Sequence, residues 1–305
     1  MKPSKNLWLL GLLLLAVAIS VTGGEANLML KERINTVNDI GKNVVQFLDG
    51  VWRILPDPDN KGGKEQWSKE IPVEAQPAPV PGIIQQTFPD YHGVAWYWIK
   101  FQTTLKENPD KSYAIKFNEV DYYCDIWLNG TLLGSHEGAE FAFEMDCGKA
   151  LKFDGENLLV VRVINPIDEP IDGFVMEDIA HRFKWNPKQY CPGVMYNYGG
   201  ITQGVELLAN NPVRIMDIHA QADIDKSCIK VSVKIRNNRK TAAKCRLTAT
   251  VMLRNSDTPL TSQALSMTAP SGESDQQLVI PIAQPRWWSP EDPQFYCVTA
   301  DLDAG

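Results

Sequence analysis

YYCDIWLNGTLLG, residues 122–134, contains the clearest structural signal in the first half of the chain. Cys124, Ile126 and Leu128 alternate with polar or amphipathic residues, which is the pattern of a strand buried on one face. Asn129-Gly130 then supplies two residues that accept a positive φ, as a two-residue type I′ turn requires. The stretch therefore predicts a β-hairpin.

The two-residue turn also predicts the register of this hairpin. We expect Leu128 to face Thr131 and Ile126 to face Leu133, so that the apolar face continues on the return strand. Asn129-Gly130-Thr131 also fits an N-glycosylation sequon. The tight turn explains these three residues better than glycosylation does.

A second strand with a different pattern follows the hairpin. Residues 158–166, LLVVRVINP, are apolar on both faces apart from Arg162. Such a run predicts a strand that is covered on both sides. Gly155-Glu156-Asn157 precedes it in the sequence.

Together these pieces resemble the sugar-binding, jelly-roll domain of glycoside hydrolase family 2, the family of β-galactosidases, β-glucuronidases and β-mannosidases. The matching pieces are Val120-Asp121-Tyr122, Trp127-Leu128-Asn129-Gly130, Leu133-Gly134-Ser135-His136-Glu137-Gly138 and residues 155–163. Their order and spacing make the match specific, whereas each piece alone is weak. The resemblance implies an all-β fold that begins with a jelly-roll β-sandwich.

Further segments extend the resemblance and also show departures from it. Residues 48–54 match the opening strand with its Gly-x-Trp, and residues 91–97 match Tyr-x-Gly-x-x-Trp-Tyr. Trp98 stands where the family usually has Arg. Residues 199–207 match the last strand of the domain, but Thr202-Gln203 replaces the usual aromatic-Arg pair, which puts any contact of that Arg in doubt.

The prolines in residues 76–82, QPAPVPG, indicate a structure other than a paired strand. Proline lacks the N–H that a strand needs, so we expect an extended surface connection that does not pair in a sheet. Trp96 and Tyr97, in contrast, lie in the middle of a strand pattern and are predicted to be core residues.

The second half of the chain has the short alternating strands of an immunoglobulin-like β-sandwich. Ile229 to Ile235 and Cys245 to Leu253 alternate cleanly between apolar and polar positions. Residues 286–296 resemble the Trp-Ser-Pro-Glu-x-Pro-x-Leu-Tyr segment that ends the second domain of the family. The predicted organisation is a signal peptide at 1–26, an N-terminal arm at 27–46, the jelly-roll domain at 47–210 and the immunoglobulin-like sandwich at 211–305.

Residues 167–198 break the strand pattern and carry the candidate binding residues. A long segment without periodicity inside a compact domain is usually functional or disordered, and the many aromatic residues argue against disorder. Trp185 and Tyr190 are candidates for stacking on a sugar ring, and Asp178 and Arg182 for hydrogen bonds to it. The alternatives remain a solvated loop with local ion pairs and ordinary packing.

The sequence indicates neither a metal site nor a cofactor site. His92, His136 and His219 are isolated, there is no Cys-x-x-Cys pair, and Ser135-His136 lacks the Gly-x-Ser-x-Gly signature of a nucleophile elbow. A Gly-rich phosphate loop is also missing. We expect no metal, no cofactor and no catalytic residue in this chain.

The net charge limits the expected partners of the protein, and its first residues indicate its expected location. A formal net charge of -7 argues against nucleic acid and anionic membranes as partners. Lys2 and Lys5 precede an apolar run from Leu7 to Val21, too short for a membrane span, with Gly24-Glu25-Ala26 as a cleavage site. This pattern predicts export to the periplasm or outside the cell, where the six cysteines are allowed to form disulfides.

The resemblance places the catalytic chemistry outside these residues. In the family a (β/α)8 barrel of about 250 residues follows the sandwich and holds both catalytic glutamates. The sequence ends at Gly305, so we expect it to be catalytically inactive alone. It is the accessory part of an exported β-glycosidase, a stand-alone carbohydrate-binding protein, or a structural surface protein. The barrel or another protein is expected at the Trp287-Trp288 end.

Overall fold

The computed structural model describes residues 37–40, 43–176, 197–254 and 258–304, and nearly all of their regular structure is strand, which confirms the all-β prediction. The strands are β1 Val37–Ile40, β2 Asn43–Phe47, β3 Gly50–Pro56, β4 Gln76–Val80, β5 Gly93–Gln102, β6 Ser112–Phe117, β7 Tyr123–Leu128, β8 Thr131–Glu137, β9 Phe143–Asp146, β10 Glu156–Asn165, β11 Val205–Asn210, β12 Val213–Asp223, β13 Cys228–Asn237, β14 Ala243–Leu253, β15 Pro259–Ala269, β16 Gly272–Pro281 and β17 Tyr296–Asp303, and the helix is α1 Ile84–Thr87.

Two sheets form the first sandwich. One has the order β1-β2-β11-β6-β9 and the other the order β4-β3-β5-β10-β7-β8. The core between them includes Trp52, Tyr97, Phe117 and Leu128, all buried. Strand β10 lies between β5 and β7, and its residues from Val160 onward are buried on both faces, as the sequence predicts.

The central hairpin confirms the predicted turn and corrects one pair of its register. Asn129 has φ 54° and Gly130 has φ 78°, and Leu128 pairs with Thr131. Ile126 pairs with Gly134 and not with Leu133, because a β-bulge inserts Leu133 into β8. Leu133 still packs against the core.

Gly134 lies beside the bulge and close to β9 of the other sheet. A Cβ atom at this position would lie 2.9 Å from the sulfur of Met145 on β9. A side chain here would therefore require the flexible Met145 side chain to shift. The bulge sets this glycine opposite Ile126.

The prediction for residues 76–82 is wrong in part. Residues 76–80 form β4, which pairs with β3, and Pro77 and Pro79 lie opposite Arg53 and Val51. Strand β4 is the edge of its sheet, so the missing N–H groups of the prolines leave no inner ladder incomplete. The first domain also recruits strand from the segment predicted as an arm, since β1 pairs with β2, and β2 with β11.

Two three-stranded sheets, β12-β13-β16 and β15-β14-β17, form the second sandwich. The inward residues of the central strands, such as Val231, Val233, Leu247 and Ala249, are completely buried. This confirms the predicted sandwich. Arg214 connects it to the first domain through Glu144 at 2.8 Å and the Ser112 hydroxyl at 3.1 Å.

Two further observations on the described residues concern the state of the cysteines and the search for a membrane-spanning helix. Cys124, Cys147, Cys228, Cys245 and Cys297 are all unpaired, and the first four are buried. In the part of the chain that the structure describes, no helix has the length and apolar character needed to cross a bilayer.

Asn129 can be tested as the residue that fixes the hairpin. Its Nδ2 donates to the Ala150 carbonyl and to Asn157 Oδ1, both at 2.8 Å, and its Oδ1 accepts from the Leu158 N–H at 3.0 Å. Asn129→Gly keeps the positive φ and loses these bonds, whereas Asn129→Ala also strains the turn. We expect urea unfolding to show a loss of about 2 kcal/mol for the glycine variant, and about 1 kcal/mol more for alanine.

The same geometry predicts that Asn129 carries no glycan, since its amide nitrogen is already bonded. Intact mass spectrometry after expression in a glycosylating host checks this. Equal stability of the two variants would contradict the role of the positive φ. A glycan on Asn129 would contradict the bonded amide.

Candidate functional site

Asn165 ends β10 and holds together the two ends of the long excursion that follows it. Its side chain donates to the Asn197 side chain, and Asn197 Nδ2 donates to the Pro166 carbonyl at 2.8 Å. The two residues are separated by 32 positions in the chain. The segment therefore leaves and re-enters the sandwich at one place, which we call the stem.

Gln85 of α1 and the residues just before β5 complete the polar side of the stem. Asn165 Oδ1 lies 3.0 Å from Gln85 Nε2 and 3.0 Å from His92 Nδ1. Gln85 Nε2 also donates to the Tyr91 carbonyl at 2.7 Å. Asn165 is completely buried, so these partners satisfy a side chain that would otherwise be expensive to bury.

Two glycines allow the returning chain to pack closely on the stem. A Cβ at Gly199 would lie 2.5 Å from the Asn165 Cβ, and a Cβ at Gly200 would lie 2.8 Å from the Gly82 carbonyl oxygen. Gly200 also exchanges both backbone hydrogen bonds with Asp121, at 2.8 and 2.9 Å. The Gly199-Gly200 pair of the sequence motif is thus a requirement of close approach.

Asp121 brings a titratable carboxyl group to the stem. Burial and the nearby negative charges of Glu119 and Glu140 raise its pKa from 3.8 to about 7. Burial, and then the negative charges of Asp121, Glu119 and Glu140, also raise the pKa of Tyr198. A carboxyl group with this pKa both donates and accepts hydrogen bonds near neutral pH, which suits contacts to hydroxyl groups.

An ion pair between the buried Arg162 and the half-exposed Asp172 fixes the first residues of the excursion. Arg162 of β10 donates to Asp125 Oδ2 at 3.0 Å, to Asn60 Oδ1 at 2.7 Å, and to Asp172. The Phe174 ring packs on the Tyr123 ring with centroids 4.5 Å apart. The chain is therefore held on the sandwich up to about residue 174, beside the stem.

All four predicted binding residues, Asp178, Arg182, Trp185 and Tyr190, lie outside the described residues. The structure shows where their segment starts and ends, and their roles stay predictions. The sequence analysis missed Gln85, Asp121, Asn165 and Asn197 as stem residues. Asn165 carried a usable signal, because a buried strand that ends in Asn-Pro needs a partner for its amide.

Among the described residues, no group of three or more His, Cys, Asp or Glu side chains is arranged to hold a metal ion. His92 belongs to the stem. His136 stacks on Phe143 with ring centroids 3.9 Å apart. His219 lies exposed on the edge strand β12.

Comparison with family models covers most of the chain. Residues 45–212 match the model described as glycosyl hydrolases family 2, sugar binding domain, and residues 213–305 match a second model described as glycosyl hydrolases family 2. The border between the two matches coincides with the step from β11 to β12.

Individual relatives agree with these matches. A β-glucuronidase of Rattus norvegicus is 25% identical over 249 residues, which cover 74% of this chain and 37% of the relative. A β-galactosidase of Enterobacter cloacae is 26% identical over 84% of this chain and 26% of its own length. The chain spans about a third of the length of the curated β-glucuronidases it matches.

Solved structures share the fold. The crystal structure of a Bacteroides uniformis β-glucuronidase aligns with a TM-score of 0.65 at 19% identity, covering 86% of this chain and 30% of that one. A Ruminococcus gnavus β-glucuronidase aligns with a TM-score of 0.62 over 88% of this chain.

Asp121 predicts a pH dependence of stability. Its pKa is raised in the folded protein, so the folded state binds more protons than the unfolded state between about pH 4 and 7. The protonated Asp121 carboxyl group contributes fully to the stability of the folded protein below about pH 4. This contribution is lost as the pH rises to 7. We expect the stability of the wild type relative to Asp121→Asn to fall by on the order of 3 kcal/mol over this range. Urea unfolding at several pH values measures it.

Two neighbouring substitutions test the cause of the shift. Glu119→Gln and Glu140→Gln each remove a negative charge that raises the pKa of Asp121. Each variant should therefore move the stability loss to lower pH. A wild type and an Asp121→Asn variant with parallel pH profiles would refute the assignment.

Proposed function

The chain belongs to glycoside hydrolase family 2, and from that premise we propose that its two sandwiches are the accessory, sugar-binding part of an exported β-glycosidase. The observation that carries the proposal is the stem. It fixes both ends of an aromatic-rich excursion at one end of the first sandwich. Such an excursion presents side chains to a ligand from a rigid support.

Trp185 and Tyr190 supply the stacking faces in this proposal, and Asp178 and Arg182 supply the polar contacts. The described residues of the stem add a hydrogen-bonding group to these contacts. Asp121 offers a carboxyl group with a pKa of about 7. These groups together suit a ring with one apolar face and several hydroxyl groups.

The relatives suggest which saccharides to try first. They are named β-glucuronidases and β-galactosidases, so a β-linked glucuronide or galactoside is the proposed ligand class. The negative charges of Glu119 and Glu140 near Asp121 oppose the carboxylate of a glucuronide at that point. A galactoside is neutral and does not meet this repulsion.

In this proposal the 305 residues contribute binding and not bond cleavage. A retaining glycosidase needs an acid and a nucleophilic carboxylate about 5 Å apart. In the family both come from the barrel, and no residue of this chain matches them. The stem therefore helps to hold a sugar that catalytic residues elsewhere act on.

A second surface supports the idea of a larger assembly. Trp287 and Trp288 are 49% and 58% exposed, and they line a groove of about 510 Å³ with Ile224 and Ile282. Exposed apolar surface of this kind marks an interaction site. The prediction that a catalytic barrel or another protein packs here stays a prediction.

Saccharide binding is tested with Trp185→Ala. Isothermal titration calorimetry with methyl β-galactoside and methyl β-glucuronide should show binding by the wild type. We expect the variant to bind at least about tenfold more weakly, because truncating a central Trp removes more than about 1 kcal/mol of binding free energy. Trp288→Ala is the matched control, since it removes an exposed Trp from the other domain and should leave the affinity unchanged.

Equal affinities of wild type and Trp185→Ala would remove the excursion from the binding site. The same preparations are then assayed with aryl β-glycosides. We expect no release of the aryl group from any of them. Hydrolysis by the purified chain would overturn the accessory role.

The proposed export predicts that residues 1–26 are removed as a signal peptide. In an exporting host, N-terminal sequencing of the released protein should start at Asn27. Leu13→Arg interrupts the apolar run and should leave the protein inside the cell and uncleaved, because the translocation signal depends on that run. Leu28→Arg, just past the cleavage site, is the control and should be exported normally. Release of uncleaved protein would contradict the signal peptide.

A further inference from the structure

The junction between the two sandwiches contains a cleft of about 860 Å³. The start of β6, the end of β9 and the loops beside them form one wall, and the turn between β13 and β14 forms the other. Ser112, which lines the cleft, pairs with Asn210 at the end of β11 that lies away from the stem. The cleft is therefore a surface separate from the stem.

Hydrogen bonds at the junction hold the two walls in place relative to each other. Lys111 Nζ donates to Asn211 Oδ1 at 3.0 Å, and the Asn238 N–H donates to the Pro212 carbonyl at 2.7 Å. The contacts of Arg214 to the first sandwich add to them. The cleft is therefore preformed, which lowers the ordering cost that a ligand meets on binding.

A buried amide braces the turn that forms the second wall. Asn237 is 1% exposed, and its Nδ2 donates to the carbonyls of Thr241 and Ala269 at 2.9 and 3.1 Å. Its Oδ1 accepts from the Arg239 N–H at 2.9 Å, and the Ser271 hydroxyl donates to the Arg239 carbonyl at 2.8 Å. The backbone that carries the exposed Arg239 side chain is thus held on both sides.

A buried phenol braces the first wall in the same way. The Tyr113 hydroxyl accepts from the Asn108 N–H at 2.8 Å and donates to the Lys106 carbonyl at 2.7 Å. The half-buried Phe153 ring meets the Tyr113 ring at 69°, with centroids 4.8 Å apart. Phe153 lines the cleft, so it offers an aromatic surface in a fixed position.

The charged side chains that line the cleft balance each other. They are three carboxylates and three cations, namely Glu107, Asp110, Asp146, Lys111, Lys149 and Arg239. In the described part of the chain, no ion pair includes Lys149, Arg239 or any of the three carboxylates. These charges are therefore available to a ligand.

This balance of charges selects the chemical class of the ligand. A strongly charged ligand of either sign would meet three like charges. An apolar partner, or a protein segment packed into the cleft, would bury the charges without partners, which is costly. A hydroxyl group both donates and accepts, so it suits the carboxylates and the cations alike.

We propose that the cleft binds a neutral oligosaccharide, as a second saccharide site between the two sandwiches. The apolar face of one ring packs on Phe153, and hydroxyl groups bond to the carboxylates of the first wall and to Arg239 of the second. The volume lies near the upper end of the usual range for ligand sites, about 300 to 1,000 Å³, which suits more than one sugar ring. The site uses no residue of the excursion and does not rest on the proposed function.

Isothermal titration calorimetry tests the proposal on a chain that carries Trp185→Ala, so that the excursion does not contribute. The probes are cellotetraose and β-1,4-galactotetraose, which are neutral, and tetragalacturonate, which is anionic. We expect a neutral tetrasaccharide to bind, with an affinity that added NaCl leaves unchanged, because neutral ligands are not subject to charge screening.

Two pairs of variants locate the binding. Arg239→Ala should weaken it about tenfold, since a hydrogen bond to a charged group is lost. Lys240→Ala is the matched control, because Lys240 is exposed on the same turn and lies outside the lining. Asp146→Asn should weaken binding several-fold through the lost charge, whereas Asp154→Asn, also exposed and outside the lining, should not. Circular dichroism checks that each variant is folded.

Three results would overturn the proposal. The first is a Trp185→Ala chain that binds neither neutral tetrasaccharide. The second is binding that Arg239→Ala and Lys240→Ala affect equally. The third is tighter binding of tetragalacturonate that falls as salt is added, because the cleft would then select negative charge. Comparison of the wild type with Trp185→Ala tests the stem separately, so the two sites succeed or fail independently.

Discussion

A positive charge buried in the central strand of the first sandwich sets the geometry around it. Arg162 is 7% exposed, and β10 is covered on both faces, so water cannot neutralise the guanidinium. An unpaired charge at such a position would cost several kcal/mol. Asp125, Asn60 and Asp172 meet it from three separate segments. The Arg162 guanidinium therefore holds together the loop after β3, the hairpin and the start of the excursion. The stem lies at the end of the same strand, β10.

An apolar layer on the outer face explains why β10 is covered twice. Trp98 stands where the family usually has Arg, and it is fully buried, with its Nε1 donating to the Trp67 carbonyl at 2.7 Å. Trp96 donates to the buried Asp57 at 2.9 Å. The loop between β3 and β4 thus closes over the sheet as a second core. Trp98 is therefore part of this outer apolar layer, with Trp67 and Trp96.

Features of the fold that depend on neighbouring residues were predicted well from the sequence. The site depends on contacts between residues distant in the chain, and it was predicted poorly. The Asn129-Gly130 turn and the alternation in β13 depend on neighbouring residues, and both are confirmed. The pairing of β4 was missed because an edge strand tolerates prolines, and an edge cannot be recognised without the sheet. The bulge at Leu133 appears only in the pairing of β7 with β8, and the stem depends on an amide pair 32 positions apart. Such contacts follow from the fold and leave little trace in a local pattern.

The two ends of β11 separate the stem from the junction between the two sandwiches. Val205 lies opposite Phe117, close to the Asp121–Gly200 bridge of the stem. At the other end Asn210 pairs with Ser112, whose hydroxyl accepts from Arg214 of the second sandwich. The strand between them is about 17 Å long. A saccharide at the stem therefore lies at the opposite end of the first sandwich from its junction with the second.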